Sequence, residues 1–487
     1  MAPDSQQPRI VVIGAGMAGI LTVIKFAEAG YTDIVVYEKA ARLGGTWREN
    51  TYPGIACDVP AHLYTYTFEP NPSWSHVFAP GDEIQAYFER VAEKYDVLPR
   101  IRFGTEITAC EFRDGRWQLQ MKDGRRDVAD VVIAATGVLH HPNEPDIAGL
   151  DDFVGACFHT ARWDHSVPLD GRRIGVIGTG STAIQVTSAL VERAAKFSLF
   201  QRTAQWIMPI ENPAYTVEER AAFARDPTLI DKLRAEFNHQ MIDNIAVAVV
   251  NADSPQMKFI EDACLANLEN SVKDPALREQ LRPNYRAACK RLIFSEDFYQ
   301  AIQHPNAELV TAGIDHVEAS GIRTVDGRLH ELDLLVLATG FRADRFIRPA
   351  RVIGRGGVDL DQVWADRPIA YLSLSVPDFP NFFMLNGPNG PVGNFSLIQI
   401  AEMQVGYILQ LLDEIRSGHC REISASAAAT AEFDRDRVAA SKSSIWATGC
   451  KSWYLDKFGV PASWPWSYYK FAEAMAKPRL EAFDQVA

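Results

Sequence analysis

The chain has 487 residues, 47% hydrophobic, 23% charged and 10% aromatic, which excludes a disordered or fibrous protein and requires more than one hydrophobic core. Its 62 acidic against 49 basic side chains give a net charge of −13. That balance argues against nucleic acid and anionic membrane surfaces as partners and points to a small molecule. The seven cysteines are scattered, with no CxxC pair. An odd set without spacing predicts a reduced cytoplasmic protein, not a disulfide framework or a zinc site.

The first predicted element is an apolar run from Ile10 to Ile24. Glycines interrupt it and no small-residue cleavage site follows, so it reads as a buried strand entering a helix, not a leader. No apolar run reaches the ~18 residues that span a bilayer. Residues 9–19 read Arg-Ile-Val-Val-Ile-Gly-Ala-Gly-Met-Ala-Gly, followed by a helical stretch to Gly30 and a strand from Asp33 to Glu38. Residues 173–183 repeat the arrangement as Arg-Ile-Gly-Val-Ile-Gly-Thr-Gly-Ser-Thr-Ala, with a helix to about Ala195 and a strand from Lys196 to Arg202. A β-rich run feeding a glycine turn and then a helix is the context that makes such a match meaningful. Two of them define two dinucleotide-binding units.

Asp130–Gly137 and Asp333–Gly340 each end an apolar strand in Ala-Thr-Gly, and each closes one unit. The expected fold class is therefore α/β, with two interleaved Rossmann-like domains. Residues 209–286 change to helical spacing and read as an insertion forming part of a substrate wall. A Pro/Gly-rich passage from Phe379 to Pro391 precedes a long helix from about Ser396 to Ser417. The expected division is 1–145 with 345–487 for the first unit, 150–208 with 287–344 for the second, and 209–286 for the insertion.

The glycines of each turn, Gly14, Gly16 and Gly19 in the first and Gly178 and Gly180 in the second, bring a helix N-terminus against a pyrophosphate. Thr179, Ser181, Thr182 and Ala183 complete the second turn. Glu38 lies 19 residues after Gly19, where a carboxylate accepts from a ribose 2′-hydroxyl and repels a 2′-phosphate. That suits FAD or NAD. Arg202 lies 19 residues after Ala183, at the matching place, where a guanidinium favours the 2′-phosphate of NADPH. FAD with NADPH implies hydride transfer to a flavin. A disulfide reductase needs a cysteine pair near the flavin, and Gly44-Gly45-Thr46 is followed by Trp47 instead.

The stretch Gly45-Thr46-Trp47 to Tyr52-Pro53-Gly54 and Asp58 resembles the first fingerprint of Baeyer–Villiger monooxygenases, and Phe153 to His159, Trp163 and Asp164 resembles the second. With Gln201-Arg202-Thr203, Lys290-Arg291-Leu292 and Ser452-Trp453-Tyr454, the resemblance covers nearly the whole chain. It implies a type I, class B flavin monooxygenase that converts ketones to esters or lactones with O2 through a C4a-peroxyflavin. It further implies Arg291 as the cation beside the reacting oxygen and Asp58 as the carboxylate set against it. Lys290, Arg202 and Thr203 would hold the 2′-phosphate. Trp453 would sit on a mobile loop closing over the nicotinamide ribose. Gly45, Thr46, Trp47, Asp58 and Ile107 join the cofactor contacts; Tyr64 falls at a flavin-contacting place, with an aromatic-core role equally open. His159 is expected to act as hinge or packing residue and Trp163 as packing. The helical insertion and the Lys-Arg-Leu-Ile-Phe-Ser context look closer to members taking aryl, steroid or other bulky ketones. Rival readings are an S- or N-oxygenase on the same scaffold, a non-catalytic nucleotide-binding protein and a plain NADPH oxidase. A monomer or weak homo-oligomer is expected.

Overall fold

The computed structural model describes residues 7–487. Two five-stranded parallel sheets organise it. The first runs in the order Phe382–Met384, Val131–Ala134, Ile10–Ile13, Ile34–Tyr37, Ile101–Arg102. The second runs Ala307–Val310, Lys196–Phe200, Arg173–Ile177, Leu334–Leu337, Ala156–His159. In both, the glycine-turn strand is central, flanked by the strand that follows its helix and by the Ala-Thr-Gly strand. Ile10–Ile13, Ile34–Tyr37, Val131–Ala134 and Leu334–Leu337 are buried at every position, which is why they read as unbroken apolar runs.

The chain crosses between the units more than once. The first sheet gains its last strand, Phe382–Met384, only after the second is complete. The chain then enters the helix Leu397–Arg416, which packs on the helix Met17–Glu28 of the first unit. An antiparallel set, Ile107–Arg113, Arg116–Met121 and Arg126–Ala129, with Arg351–Ile353 at its edge, covers the first sheet.

The insertion is helical as the spacing predicts, with Val217–Arg225, Thr228–Asn238, Val247–Val250, Pro255–Ser271 and Pro275–Gln280 as its α-helices and a π-helical stretch at His239–Ala246. Local chemistry starts these helices. Thr216 and Glu219 form a reciprocal capping box, and Ser254 caps a helix opening on Pro255. Arg234 donates to the carbonyls of Thr65 and Thr67, while Tyr215 and Phe223 pack edge-on against His62. The insertion is thereby docked onto the first unit. Met257, Ile260 and Cys264 share a core with Ile445, Trp446 and Tyr454, which joins it to the C-terminal segment as well.

Two expectations are corrected. The helix of the second unit ends at Leu190, not near Ala195, because Ala195 already donates to Arg172 O to start the next strand. The cysteines are not all reduced: Cys289 and Cys450, 161 residues apart, form a disulfide with their Cα atoms 6.1 Å apart. Neither cysteine has a near neighbour in sequence to signal this. The pairing depends on the C-terminal segment folding back over the Lys290-Arg291 segment.

Candidate active site

Both glycine turns are shaped by contacts that admit no side chain. Gly14 has φ +103, and a β-carbon there would lie 2.6 Å from Ala135 O, on the neighbouring Ala-Thr-Gly strand. Its counterpart Gly178, φ +123, stands in the same relation to Ala338 O at 2.3 Å. The helices that follow begin at Gly16 and Gly180, and no side chain caps either one. Their first N–H groups are left to a ligand, with the positive end of the helix dipole behind them. Gly45 lies against Gly16, and Gly44 N donates to Ala15 O, so the first fingerprint covers the first turn.

Glu38 is only 5% exposed. Its Oε2 accepts from Ala15 N of the glycine turn, and its Oε1 accepts from Ala40 N and from Arg48 Nη1, each at 2.9 Å. It is thus a fixed, turn-facing carboxylate, and Oε2 keeps a lone pair for a ribose hydroxyl. Asn386 Oδ1, Asn394 Oδ1 and Gln404 Nε2 are buried without a hydrogen-bond partner among the described residues. Asn386 follows the strand Phe382–Met384 at the carboxyl end of the first sheet, the end that carries the glycine turn. A polar ligand lying there would satisfy such groups, and a dinucleotide with a polar ring system fits that demand.

In the second turn, Thr179 Oγ1 donates to Thr203 O, Thr182 Oγ1 to the Tyr52 hydroxyl, and Ala183 is buried in the core. Ser181 opens the helix. Arg202 is exposed at the end of its strand, and Lys290 is half-buried with Nζ 4.9 Å from the centre of the Tyr285 ring. Burial, then the charge of Arg202, lowers the Lys290 pKa. Neither cation forms an ion pair with a carboxylate among the described residues. Two neighbouring cations without a counterion suit a phosphate dianion.

The first fingerprint also ties the units together. The Tyr52 hydroxyl donates to Gln185 Oε1 at 2.8 Å, and Gln185 Nε2 donates to Ala56 O at 3.1 Å. Two residues further on, Asp58 Oδ2 accepts from Arg291 Nη2 at 2.5 Å. Arg291 Nη1 donates to Gly393 O at 3.3 Å, and the Tyr454 hydroxyl lies against Gly393, where a β-carbon would come within 2.2 Å of it. The Arg291 and Asp58 side chains are 30% and 29% exposed, so the pair lies at a surface that a ligand can reach. Burial by itself would lower the guanidinium pKa; Asp58 and then Tyr454 outweigh it and raise the pKa above its ordinary value. The group is a permanent cation.

The remaining expected residues divide. Trp47 Nε1 donates to the Tyr64 hydroxyl at 3.2 Å, so these two form one aromatic pair beside the glycine turn. Ile107 opens its strand with its side chain in the core, leaving only its backbone to meet a ligand. Its neighbour Glu106 lines a cavity of about 610 Å³ together with Lys39, Arg48, Arg162 and Trp163, at the Glu38 end and away from Arg291. His159 uses both ring nitrogens: Nδ1 accepts from Ala161 N and Nε2 donates to Gly340 O. Burial lowers its pKa. A ring committed at both ends holds two segments together and is not free to carry protons. Trp163 packs on Phe158. Trp453 is 44% exposed and stacks on Tyr454, whose hydroxyl lies against Gly393. Tyr454, Gly393 and Arg48 have no expected role; adjacency to Trp453 and to Gly45-Thr46-Trp47 is the signal that marks Tyr454 and Arg48.

A family model described as flavin-binding monooxygenase-like matches residues 7–251. A Mycobacterium tuberculosis protein named an uncharacterized monooxygenase is 47% identical over 477 residues, covering 98% of this chain and 96% of its own. A Baeyer–Villiger monooxygenase of Streptomyces coelicolor is 37% identical over 468 residues, covering 95% and 90%. The crystal structure of cyclohexanone monooxygenase from Rhodococcus sp. Phi1 bound to NADP+ superposes with a TM-score of 0.88 at 29% identity, over 99% of both chains. With two parallel sheets, two uncapped glycine turns and an Arg291–Asp58 pair between them, the chain belongs to the flavin-binding monooxygenase family and, within it, to the Baeyer–Villiger monooxygenases.

Proposed function

We infer that this chain is an FAD- and NADPH-dependent monooxygenase that inserts one oxygen atom of O2 beside a ketone carbonyl, giving an ester or lactone. The observation that carries the reading is Arg291, held by Asp58 from the first fingerprint and by Gly393 from the loop that follows the first sheet. In this reading, residues 1–145 and 345–487 bind FAD, residues 150–208 and 287–344 bind NADPH, and 209–286 wall the substrate space. We assign Gly14, Gly16, Gly19, Glu38 and Gly45-Thr46-Trp47 to FAD, and Gly178 to Ala183, Arg202, Thr203 and Lys290 to NADPH. Among the described residues no helix is long and apolar enough to cross a membrane.

When bound, reduced flavin supplies electrons to O2. The protein's task is position, charge and exclusion of water. Arg291 places a cation where negative charge develops on oxygen, and its raised pKa means that it holds its proton at any working pH. Asp58 and Gly393 O each engage one terminal nitrogen, which limits the directions the guanidinium can take. The 450–462 segment, bearing Trp453, lies beside this pair and is placed to shield it.

Arg291→Ala tests the reading. FAD should stay bound and remain reducible by NADPH, while ester formation from a ketone panel is lost and hydrogen peroxide is released instead. Ester yields equal to the parent enzyme would overturn the assignment. A sulfide panel run alongside separates heteroatom oxidation from ketone oxidation.

A further inference from the structure

We propose that Arg48 is a positioning residue that fixes which oxygen of Glu38 meets the adenosine ribose of FAD; the proposal rests on the assignment of Glu38 to that ribose. A carboxylate oxygen offers two lone pairs. Both lone pairs of Glu38 Oε1 are taken, one by Ala40 N and one by Arg48 Nη1, each at 2.9 Å. Among the described residues, Oε2 accepts only from Ala15 N. The free lone pair therefore stands on Oε2, beside the glycine turn. Without Arg48, each oxygen would carry one free lone pair, and the carboxylate could turn about its last bond to present either.

Arg48 is itself held from several sides. Nη1 also donates to Arg42 O at 2.8 Å, and Nη2 donates to Glu49 Oε1 at 2.9 Å. The Glu38, Glu49 and Arg48 side chains are 6%, 8% and 14% exposed, so one guanidinium serves two buried carboxylates. The second carboxylate is fixed in turn by His140, whose Nδ1 lies 3.1 Å from Glu49 Oε2 and whose Nε2 lies 2.8 Å from Lys39 Nζ. An ammonium only donates, so Nε2 accepts and the ring proton stands on Nδ1, where it donates to Glu49. His140 belongs to the stretch that follows the strand Val131–Ala134 and leads to the second unit. In that stretch His141 O accepts from Arg342 N at 2.9 Å, and Asn143 N donates to Gly340 O at 2.8 Å. Through Arg48 and Glu49, the Glu38 carboxylate is thus tied by hydrogen bonds to the crossing between the units.

The test is titration of FAD, and of FAD whose adenosine is 2′-deoxy, into apoprotein, followed by flavin fluorescence. In the parent protein, loss of the 2′-hydroxyl should weaken binding about tenfold or more, the scale of one hydrogen bond to a charged group. Arg48→Met keeps an unbranched side chain and removes its donors. FAD should then bind about tenfold more weakly, and the two cofactors should bind within about threefold of each other. If Arg48→Met does not fold, Arg48→Lys answers the same question. An ammonium keeps the charge but not the planar fork that serves two carboxylates and a carbonyl at once, so the ratio of the two affinities should fall by at least about threefold. A parental ratio in the folded variant overturns the proposal, whether or not FAD binds more weakly, because a merely structural arginine would weaken both cofactors alike. Equal affinities in the parent protein would mean that Glu38 does not meet the 2′-hydroxyl, and the assignment of Glu38 fails there, before any variant is made. The two failures are therefore told apart.

Discussion

Gly19→Ala should strip the protein of FAD while leaving the second unit intact. A β-carbon at Gly19 would lie 1.9 Å from Gly14 O and 3.0 Å from its carbonyl carbon. The obstacle is backbone, so the helix Met17–Glu28 must withdraw by about 1 Å from the strand Ile10–Ile13, and close-packed interiors resist such shifts. Overpacking by one carbon costs about 1–3 kcal/mol where side chains can give way, and here none is available. The same shift carries the helix N-terminus away from the pyrophosphate position. A loss of 2–3 kcal/mol corresponds to roughly 30- to 150-fold weaker binding. The measurement is the flavin-to-protein absorbance ratio after purification, followed by titration of FAD into apoprotein. Ala183 occupies the matching position of the second turn with its methyl fully buried, so Ala183→Gly serves as the control and should keep its FAD. A Gly19→Ala protein that purifies with stoichiometric FAD and parental affinity would refute the packing argument.

Arg202→Ala should lower kcat/KM for NADPH by about 10- to 150-fold, the loss of one charge-assisted hydrogen bond, and leave NADH nearly unchanged. Equal falls with both nucleotides, measured as anaerobic flavin reduction, would mean that Arg202 does not meet the 2′-phosphate. His62 predicts an acid weakness. It is 1% exposed, neither ring nitrogen has a hydrogen-bond partner among the described residues, and burial, then the charge of Arg234, lowers its pKa to about 4. Above its unfolded value near 6.5 the residue is neutral in both states and costs nothing. As pH falls below that value the unfolded chain takes up the proton first, so stability drops by about 3 kcal/mol between pH 6.5 and 4. His62→Phe should flatten that part of the profile of urea midpoint against pH, and an unaltered slope would show that other groups cause it.

What could be read from the chain alone is what depends on near neighbours. A strand, three glycines and a helix lie within about thirty residues, so the two turns and the acidic Glu38 follow from spacing and local sterics. The Arg291–Asp58 pair spans 233 residues and was reached only by resemblance, since nothing in the local chemistry of Lys290-Arg291 distinguishes a site from a solvated surface. The same distance in sequence hid the disulfide. Cys289 and Cys450 meet because both flank segments that converge on Arg291, and cysteine spacing carries no information about such convergence. Tyr454 stands in a motif whose expected function belongs to Trp453. In the structure the tryptophan is partly exposed and the tyrosine hydroxyl is seated against Gly393.

The interleaved chain path has a consequence for where the reaction is controlled. Arg291 adjoins the short strand Ile293–Phe294, which pairs with Ile207–Met208 at the border of the insertion. Its two hydrogen-bond partners come from two other places, Asp58 from the first fingerprint and Gly393 from the loop after the first sheet's last strand, and Tyr454 of the C-terminal segment sets its hydroxyl against Gly393. The first fingerprint is itself bonded to the helix of the second glycine turn through Tyr52, Gln185 and Ala56. A guanidinium so placed is held at one angle only when both units and the C-terminal segment are docked. Removing the segment after residue 345 would delete a strand of the first sheet and one of the two hydrogen bonds on Arg291 together. The cation's geometry therefore depends on the assembly of the whole molecule, and the return of the chain to its first sheet is part of what makes the site.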